Sequence, residues 1–401
     1  MVKTTIRRAL PWLLVLLALV LASACAHPRE RGSAAAASPP NPSPWALPTS
    51  TMRWNEHACE LIARNQAGQF PAARTLAYTN LAINNAIVLA RQQGRKPDGA
   101  AAGAAATVLT FAFPKEEQAL ATRLAGETAA IGADARTDFA AGVEIGRSAA
   151  NEVIAMAKSD RAGAAWTGSL PTGADKWVPQ DKPPRPPLGP QLGGMRTFFL
   201  ATGSEFRPSS PPAYDSAAFK AAVAEVRAVS DRRTNEQLRI AQYWENLTGS
   251  FAAGLWNEVG RGAISARGLG EPESARVLAM FHMVGVDATI ASHDAKYTYW
   301  VPRPTQADPN IRLAIGLPNH PSYPSNHAAI SGSMGLVLDA LLQDQSGRYF
   351  AMGRQAGESR IYAGIHYRFD VDDGFALARK VSAKAIQAGI PKDRPFTPVG
   401  R

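Results

Sequence analysis

Apolar positions along this chain recur mostly at three- and four-residue intervals, and few alternations of period two compete with them. That spacing predicts alanine-rich amphipathic helices over 54–66, 71–93, 115–131, 133–158, 215–229 and 234–247, then over 252–266, 271–297, 325–343, 347–362 and 366–388. The segment 160–213 contains Pro183-Pro184-Arg185-Pro186-Pro187 and many glycines, so it reads as a long connection that crosses the surface or lids a site.

Part of the helical pattern occurs twice. Trp54-Asn55-Glu56 returns as Trp256-Asn257-Glu258, and at the same offset Ala73-Arg74-x-Leu76-Ala77 returns as Ala275-Arg276-x-Leu278-Ala279, with Ala86 matching Ala288. One helical pair is therefore expected in two copies. The first copy runs into Arg91-Gln92-Gln93-Gly94, whereas the second runs into Lys296 and Arg303. The expected order is a signal peptide over 1–24, an Ala/Ser/Pro tether over 25–50 and an N-terminal bundle, the degenerate copy, over 51–160. The connection over 161–213 and a C-terminal catalytic bundle over 214–401 complete it.

The N-terminal region differs in kind. Lys3, Arg7 and Arg8 precede an apolar run from Leu10 to Leu21 and the small residues Ala22-Ser23-Ala24-Cys25, the layout of a bacterial secretion signal. The run is short for a membrane span, and no comparable run is read after it. Two processing outcomes stand open: ordinary cleavage after Ala24, or a lipobox-like signal that leaves Cys25 lipidated at the head of a disordered tether. Either places the protein outside the cytoplasm, in the periplasm or anchored to a membrane. Cys59 is the other cysteine, so no disulfide framework is expected. Removal of the leader lowers the formal net charge from +10 to +7. Clustered Lys/Arg with interleaved aromatics is absent, so the positive balance is read as attraction for small anions or an anionic surface, with no nucleic-acid partner.

The chemistry lies near the C-terminus, in three segments of fixed order: Lys296-x6-Arg303-Pro304, Pro324-Ser325-Asn326-His327 and Ser359-Arg360-x5-His366-x3-Asp370. Each alone is common in ordinary loops, caps and helix surfaces; the ordered set carries the information. Arg303 and Arg360 present planar forks and Lys296 a point charge, a combination suited to the oxygens of a tetrahedral oxyanion. Pro324-Ser325-Asn326-His327 followed by small residues reads as a helix start, whose unpaired N–H groups favour negative charge, so Ser325 and the Asn326 N–H join the cradle. His366 and Asp370 are four apart and, on a helix, share a face, which lets Asp370 fix the imidazole tautomer. His57, His282 and His293 read as packing or helix-surface residues.

These segments resemble the three motifs of the superfamily that joins type 2 phosphatidic acid phosphatases, bacterial non-specific acid phosphatases and vanadium-dependent haloperoxidases. The phrases Arg233-Thr234-x-Glu236-Gln237 and Asp294-Ala295-Lys296-Tyr297 are similar to the soluble bacterial haloperoxidases, and the resemblance covers most of 52–390. It implies an all-α fold of two packed, related helical bundles with the catalytic site in the C-terminal one. It also implies that Lys296, Arg303, Ser325, Asn326 and Arg360 bind the oxyanion, that His366 is the vanadate ligand or phosphate nucleophile, and that His327 is the acid–base. Where the superfamily usually has glycine, this chain has Asn326. His320, seven residues before His327, stands where bromide-oxidising members have a histidine.

Two activities follow from that resemblance. In a haloperoxidase-like enzyme, vanadate held by His366 supports oxidation of halide, bromide favoured, by hydrogen peroxide, with Lys296 polarising the peroxide and His327 taking its proton. In an acid phosphatase, His366 attacks the phosphorus of a monoester or lipid phosphate and His327 protonates the leaving group. The motifs serve both. A non-catalytic oxyanion-binding lipoprotein is disfavoured, since both histidines and all three cations are present. The halide or ester, the organic substrate and the oligomeric state are not encoded in the motifs. For the N-terminus, Cys25→Ser is expected to move the protein from the membrane fraction to the soluble periplasm, and an unchanged distribution would establish ordinary cleavage after Ala24.

Overall fold

The computed structural model describes residues 47–245 and 252–400. The signal over 1–24, the lipidation candidate Cys25 and most of the tether over 25–50 lie outside the described residues. Among the described residues all regular structure is helical: α1 (Ser50–Arg64), α2 (Gln69–Gln92), α3 (Pro97–Ala112), α4 (Glu117–Ala130) and α5 (Ala133–Lys158) precede the long connection. After it come α6 (Ala217–Arg232), α7 (Asn235–Glu245), a π-helical turn (Ala252–Trp256), α8 (Asn257–Ala266), α9 (Glu271–Tyr299), α10 (Asn326–Leu341), α11 (Arg348–Tyr362) and α12 (Arg368–Ala388).

Local chemistry sets several boundaries. Thr49 Oγ1 accepts from Met52 N (3.2 Å) at the start of α1, and at α7 Thr234 and Gln237 bond reciprocally, backbone to side chain, at 3.0 and 3.1 Å. The Arg233-Thr234-x-Glu236-Gln237 phrase is thus a helix start. Helix α3 is absent from the periodicity reading because it has little polar contrast to reveal: its middle, residues 99–106, is alanine and glycine alone and buried. A Cβ added at Gly103 would lie 2.3 Å from Val143 O, and one at Gly146 2.3 Å from Ala100 O, so α3 and α5 touch backbone to backbone.

Helices α2, α3 and α5 pack on one another in the first half, while α10 packs on α9, α11 and α12 in the second. The halves meet where α2 lies along α9. Helix α9 is long and apolar enough to cross a membrane, but its apolar window is 94% buried inside the fold, so it is the central core helix here.

Side-chain contacts repeat across the two copies. Asn55 donates to Asn80 Oδ1 (3.4 Å), while Asn257, its counterpart, meets His282 Nε2 (2.7 Å) at the position equivalent to Asn80. The two asparagines also meet each other, Asn257 Nδ2 donating to Asn55 Oδ1 at 2.8 Å. One helical turn further on, Asn85 brackets the Phe396 backbone, and the equivalent Asp287 accepts from the Phe198, Phe199 and Leu200 amides. The related halves are therefore joined by equivalent residues. Replacing Asn257 with Ala strands buried partners on both sides and should cost roughly 2–4 kcal/mol of unfolding free energy; a denaturation midpoint within error of the parent would contradict this role.

Candidate active site

In the first copy a four-residue connection, 93–96, joins α2 to α3, whereas in the second the equivalent connection between α9 and α10 is 300–325. That enlarged connection carries Arg303, His320, Ser322 and Ser325. Lys296 comes from the last turn of α9, Asn326 and His327 from the first turn of α10, Arg360 from the end of α11, and Asp370 from the first turn of α12. His366 precedes α12 and is not helical, so the expected shared helix face is not what joins it to Asp370. Asp370 instead lies at the third position of α12 and turns back over its start. Asp370 Oδ2 accepts from His366 Nδ1 (2.8 Å), Ser322 Oγ (2.5 Å) and Tyr367 N (3.1 Å).

That arrangement fixes the tautomer. With its Nδ1 proton directed at a carboxylate, His366 offers Nε2 as a lone pair, and Arg303 Nη1 lies 3.1 Å from it. The same guanidinium donates to Ile365 O (2.8 Å) and His320 O (3.0 Å) and approaches His320 Nδ1 at 3.1 Å. Arg360 donates to Ala241 O (2.7 Å) and Ser359 Oγ (2.8 Å). Lys296 Nζ reaches three carbonyls, Pro321 O (2.9 Å), Ser322 O (2.8 Å) and Pro324 O (2.5 Å). Ser325 caps α10 by accepting from Ala328 N, and its own N–H donates to Asp370 O (2.9 Å), tying the starts of α10 and α12 together. His327 Nε2 lies 3.1 Å from Trp244 O.

The resulting pocket is deeply buried and positively charged. Lys296, Arg303, Arg360, His320, His366, Ser325 and Asp370 are all at most 7% exposed, and only Asn326 and His327 are partly exposed. Lys296, Arg303 and Arg360 face one carboxylate, Asp370, and burial followed by the neighbouring Arg303 pushes Lys296 well below the usual lysine range; exposed Glu245 reaches Arg360 only at longer range. Burial lowers the Arg303 guanidinium to about 10 and that of Arg360 to about 9, and pushes Asp370 up to about 6. Burial and then neighbouring cations hold His320, His327 and His366 well below the ordinary histidine value, so all three rings are neutral at pH 7. A buried cluster in which basic groups outnumber the carboxylate, with a directed imidazole lone pair and the open N–H end of α10, suits a small oxyanion.

All the residues singled out in the three motifs, and His320, thus converge on one pocket. Ser322 and Ser292 were not singled out. Ser322 stands between His320 and Pro324, but nothing in its spacing marks it as the third partner of the His366–Asp370 pair. Ser292 lies one turn before Lys296 and bonds Asn326. His293, read as packing, is buried on α9 as expected, yet its ring centroid lies 5.7 Å from that of His320. His57 bonds Glu60 and His282 bonds Asn257, both away from the pocket.

Residues 276–387 match the PAP2 superfamily. The chain is 38% identical over 63 residues to an acid phosphatase of Zymomonas mobilis and 30% identical over 119 residues to a non-specific acid phosphatase of Providencia stuartii. It spans less than half the length of these relatives, 24% and 46%, and the matches cover 16% and 29% of this chain. Its fold is similar to that of a bacterial vanadium-dependent iodoperoxidase, with a TM-score of 0.73 at 19% identity over 84% of this chain and 95% of that one. A bacterial vanadium-dependent chloroperoxidase in its holo form gives 0.65 at 15% identity over 79% and 90%. At such identities the likeness is one of fold, and it extends over both bundles.

Stability should depend on pH through these buried rings. His282 and His293, lowered by burial to about 3 and about 4, join the three pocket histidines in staying neutral in the fold, while the unfolded chain protonates them near 6.5. The unfolded state therefore binds more protons below that value, and stability is lost as pH falls. Asp287, raised by burial to about 7, and Asp370 act in the opposite sense, and the remaining carboxylates shift both ways. Five histidines against two carboxylates leave about three groups, or roughly 4 kcal/mol lost per pH unit below 6. Thermal melts should show Tm falling from pH 7 to pH 5; a flat or rising Tm would contradict the neutral histidines.

Proposed function

We propose, for a chain whose residues 276–387 form a PAP2 superfamily domain on a haloperoxidase fold, that it is a vanadium-dependent haloperoxidase-like enzyme oxidising halide, bromide favoured, with hydrogen peroxide. The observation that carries this reading is the net positive, buried pocket around His366 Nε2 within a two-bundle fold. The donor set fits vanadate: His366 Nε2 would supply a nitrogen ligand, and Arg303, Arg360, Ser325, the first N–H of α10 and Lys296 would hold the oxygens by charge and hydrogen bonds. Bound vanadate would act as a Lewis acid that activates peroxide without changing oxidation state. The protein's own part is to keep His366 neutral and aimed through Asp370 and Ser322, and to exclude bulk water. On this reading His327, neutral and partly exposed, takes the proton of the incoming peroxide. Partners on this reading are small molecules, and export with a lipid anchor at Cys25 is part of the same proposal.

The acid phosphatase relatives support a second reading, in which the same pocket binds a phosphate ester, His366 attacks phosphorus and His327 protonates the leaving alkoxide. Vanadate separates the two. Halogenation of an activated ketone with peroxide and bromide should require added vanadate, whereas ester hydrolysis would be inhibited by it; inhibition without halogenation would overturn the haloperoxidase reading.

The two histidines should respond differently. His366→Ala should abolish both activity and anion retention, since no other side chain supplies the nitrogen. His327→Ala should retain the anion and lose about 100-fold or more in turnover, the loss typical of a missing acid–base group. Anion affinity by calorimetry, measured beside turnover, checks this. A collapsed affinity with a normal rate per bound anion in His327→Ala would contradict the assignment.

A further inference from the structure

Asn326 is the one motif residue whose side chain has a role that the oxyanion reading leaves open. It begins α10 between Ser325 and His327, and with His327 it forms the partly exposed rim of an otherwise buried pocket. Its amide is anchored at one end only: Ser292 Oγ lies 2.8 Å from Asn326 Oδ1. Ser292 is fully buried on α9, one turn before Lys296, whose ammonium holds the Pro324 carbonyl. One face of α9 thus fixes both the backbone and the side chain of the 324–326 segment.

The direction of the Ser292 bond decides what Asn326 presents. Ser292 Oγ is also 2.9 Å from Thr289 O, and a hydroxyl has one proton. Thr289 O already faces His293 Nδ1 at 2.9 Å and, inside α9, accepts the helical bond from the His293 amide. Its two lone pairs are occupied, so the Ser292 proton goes to Asn326 Oδ1. The Asn326 amide group is then oriented with both N–H donors turned away from α9, and among the described residues they have no hydrogen-bond partner.

We infer that the Asn326 side chain is a further ligand of the site, a neutral donor to an oxygen of the bound oxyanion, held in that orientation by Ser292 as a positioning residue. The inference rests on the oxyanion-site reading and holds for vanadate and phosphate alike. A carboxamide cannot ionise within the working pH range, so its contribution should be nearly constant with pH, unlike that of the cations and histidines around it.

The test is calorimetric titration of the full protein with inorganic phosphate and with orthovanadate. Asn326→Ala should weaken both by about 10- to 100-fold, the range for a hydrogen bond to a charged group. Ser292→Ala should weaken them by about 3- to 10-fold, because the amide is kept but no longer aimed. The double variant should bind no more weakly than Asn326→Ala alone, since Ser292 acts only through that amide. Melting curves without anion accompany each variant. A lowered Tm with unchanged affinity would make the pair purely structural and overturn the inference, as would additive losses in the double variant. If the parent protein binds neither anion, the oxyanion site itself fails, and the inference with it.

Discussion

Three buried basic side chains, Lys296, Arg303 and Arg360, set against one carboxylate are the constraint around which the C-terminal half is arranged. Charge without an opposite partner in a dry interior is costly, so backbone carbonyls are brought in from several elements: Pro321, Ser322 and Pro324 to Lys296, His320 and Ile365 to Arg303, and Ala241 to Arg360. Carbonyl dipoles solvate the cations without neutralising them. On the proposed reading the excess of basic groups is what would draw an anion, and the same bonds fix the loops that surround it. Function and local rigidity therefore have one cause here.

The duplicated frame explains where that pocket is placed. Helices α2 and α9 are equivalents that pack together, with Asn55 and Asn257 meeting at their junction, yet only the second copy has the enlarged connection over 300–325. The first copy supplies a wall for α9 and no chemistry. Near the end of α9, burial of Lys296 and the neutral His293 is completed by the long connection, whose Gly189 and Gly193 pack against His293 and Asp294.

Much of this was legible in the sequence, and the exceptions have physical reasons. The basic residues, both motif histidines and Asp370 announce themselves because a tetrahedral anion demands several donors at set spacings, and few other needs produce that set. The helical class follows from period-3.6 spacing, but α3 escaped it because a helix whose middle is buried alanine and glycine has little amphipathic contrast. The His366–Asp370 contact was foreseen in partners and not in form, since the same four-residue spacing is reached by a carboxylate turning back over a helix start. Ser322 and Ser292 were missed because a serine's importance depends on which buried groups surround it, which is a tertiary property.

The haloperoxidase and phosphatase readings share one claim, that an oxyanion is held at His366 Nε2 within the ring of buried cations. A crystal structure of the protein grown with orthovanadate and no phosphate tests it directly. The account predicts vanadium bonded to His366 Nε2, with Arg303 and Arg360 on its oxygens and the imidazole still held by Asp370. A pocket without vanadium, in which Arg303 Nη1 keeps its contact with that nitrogen, would contradict the account.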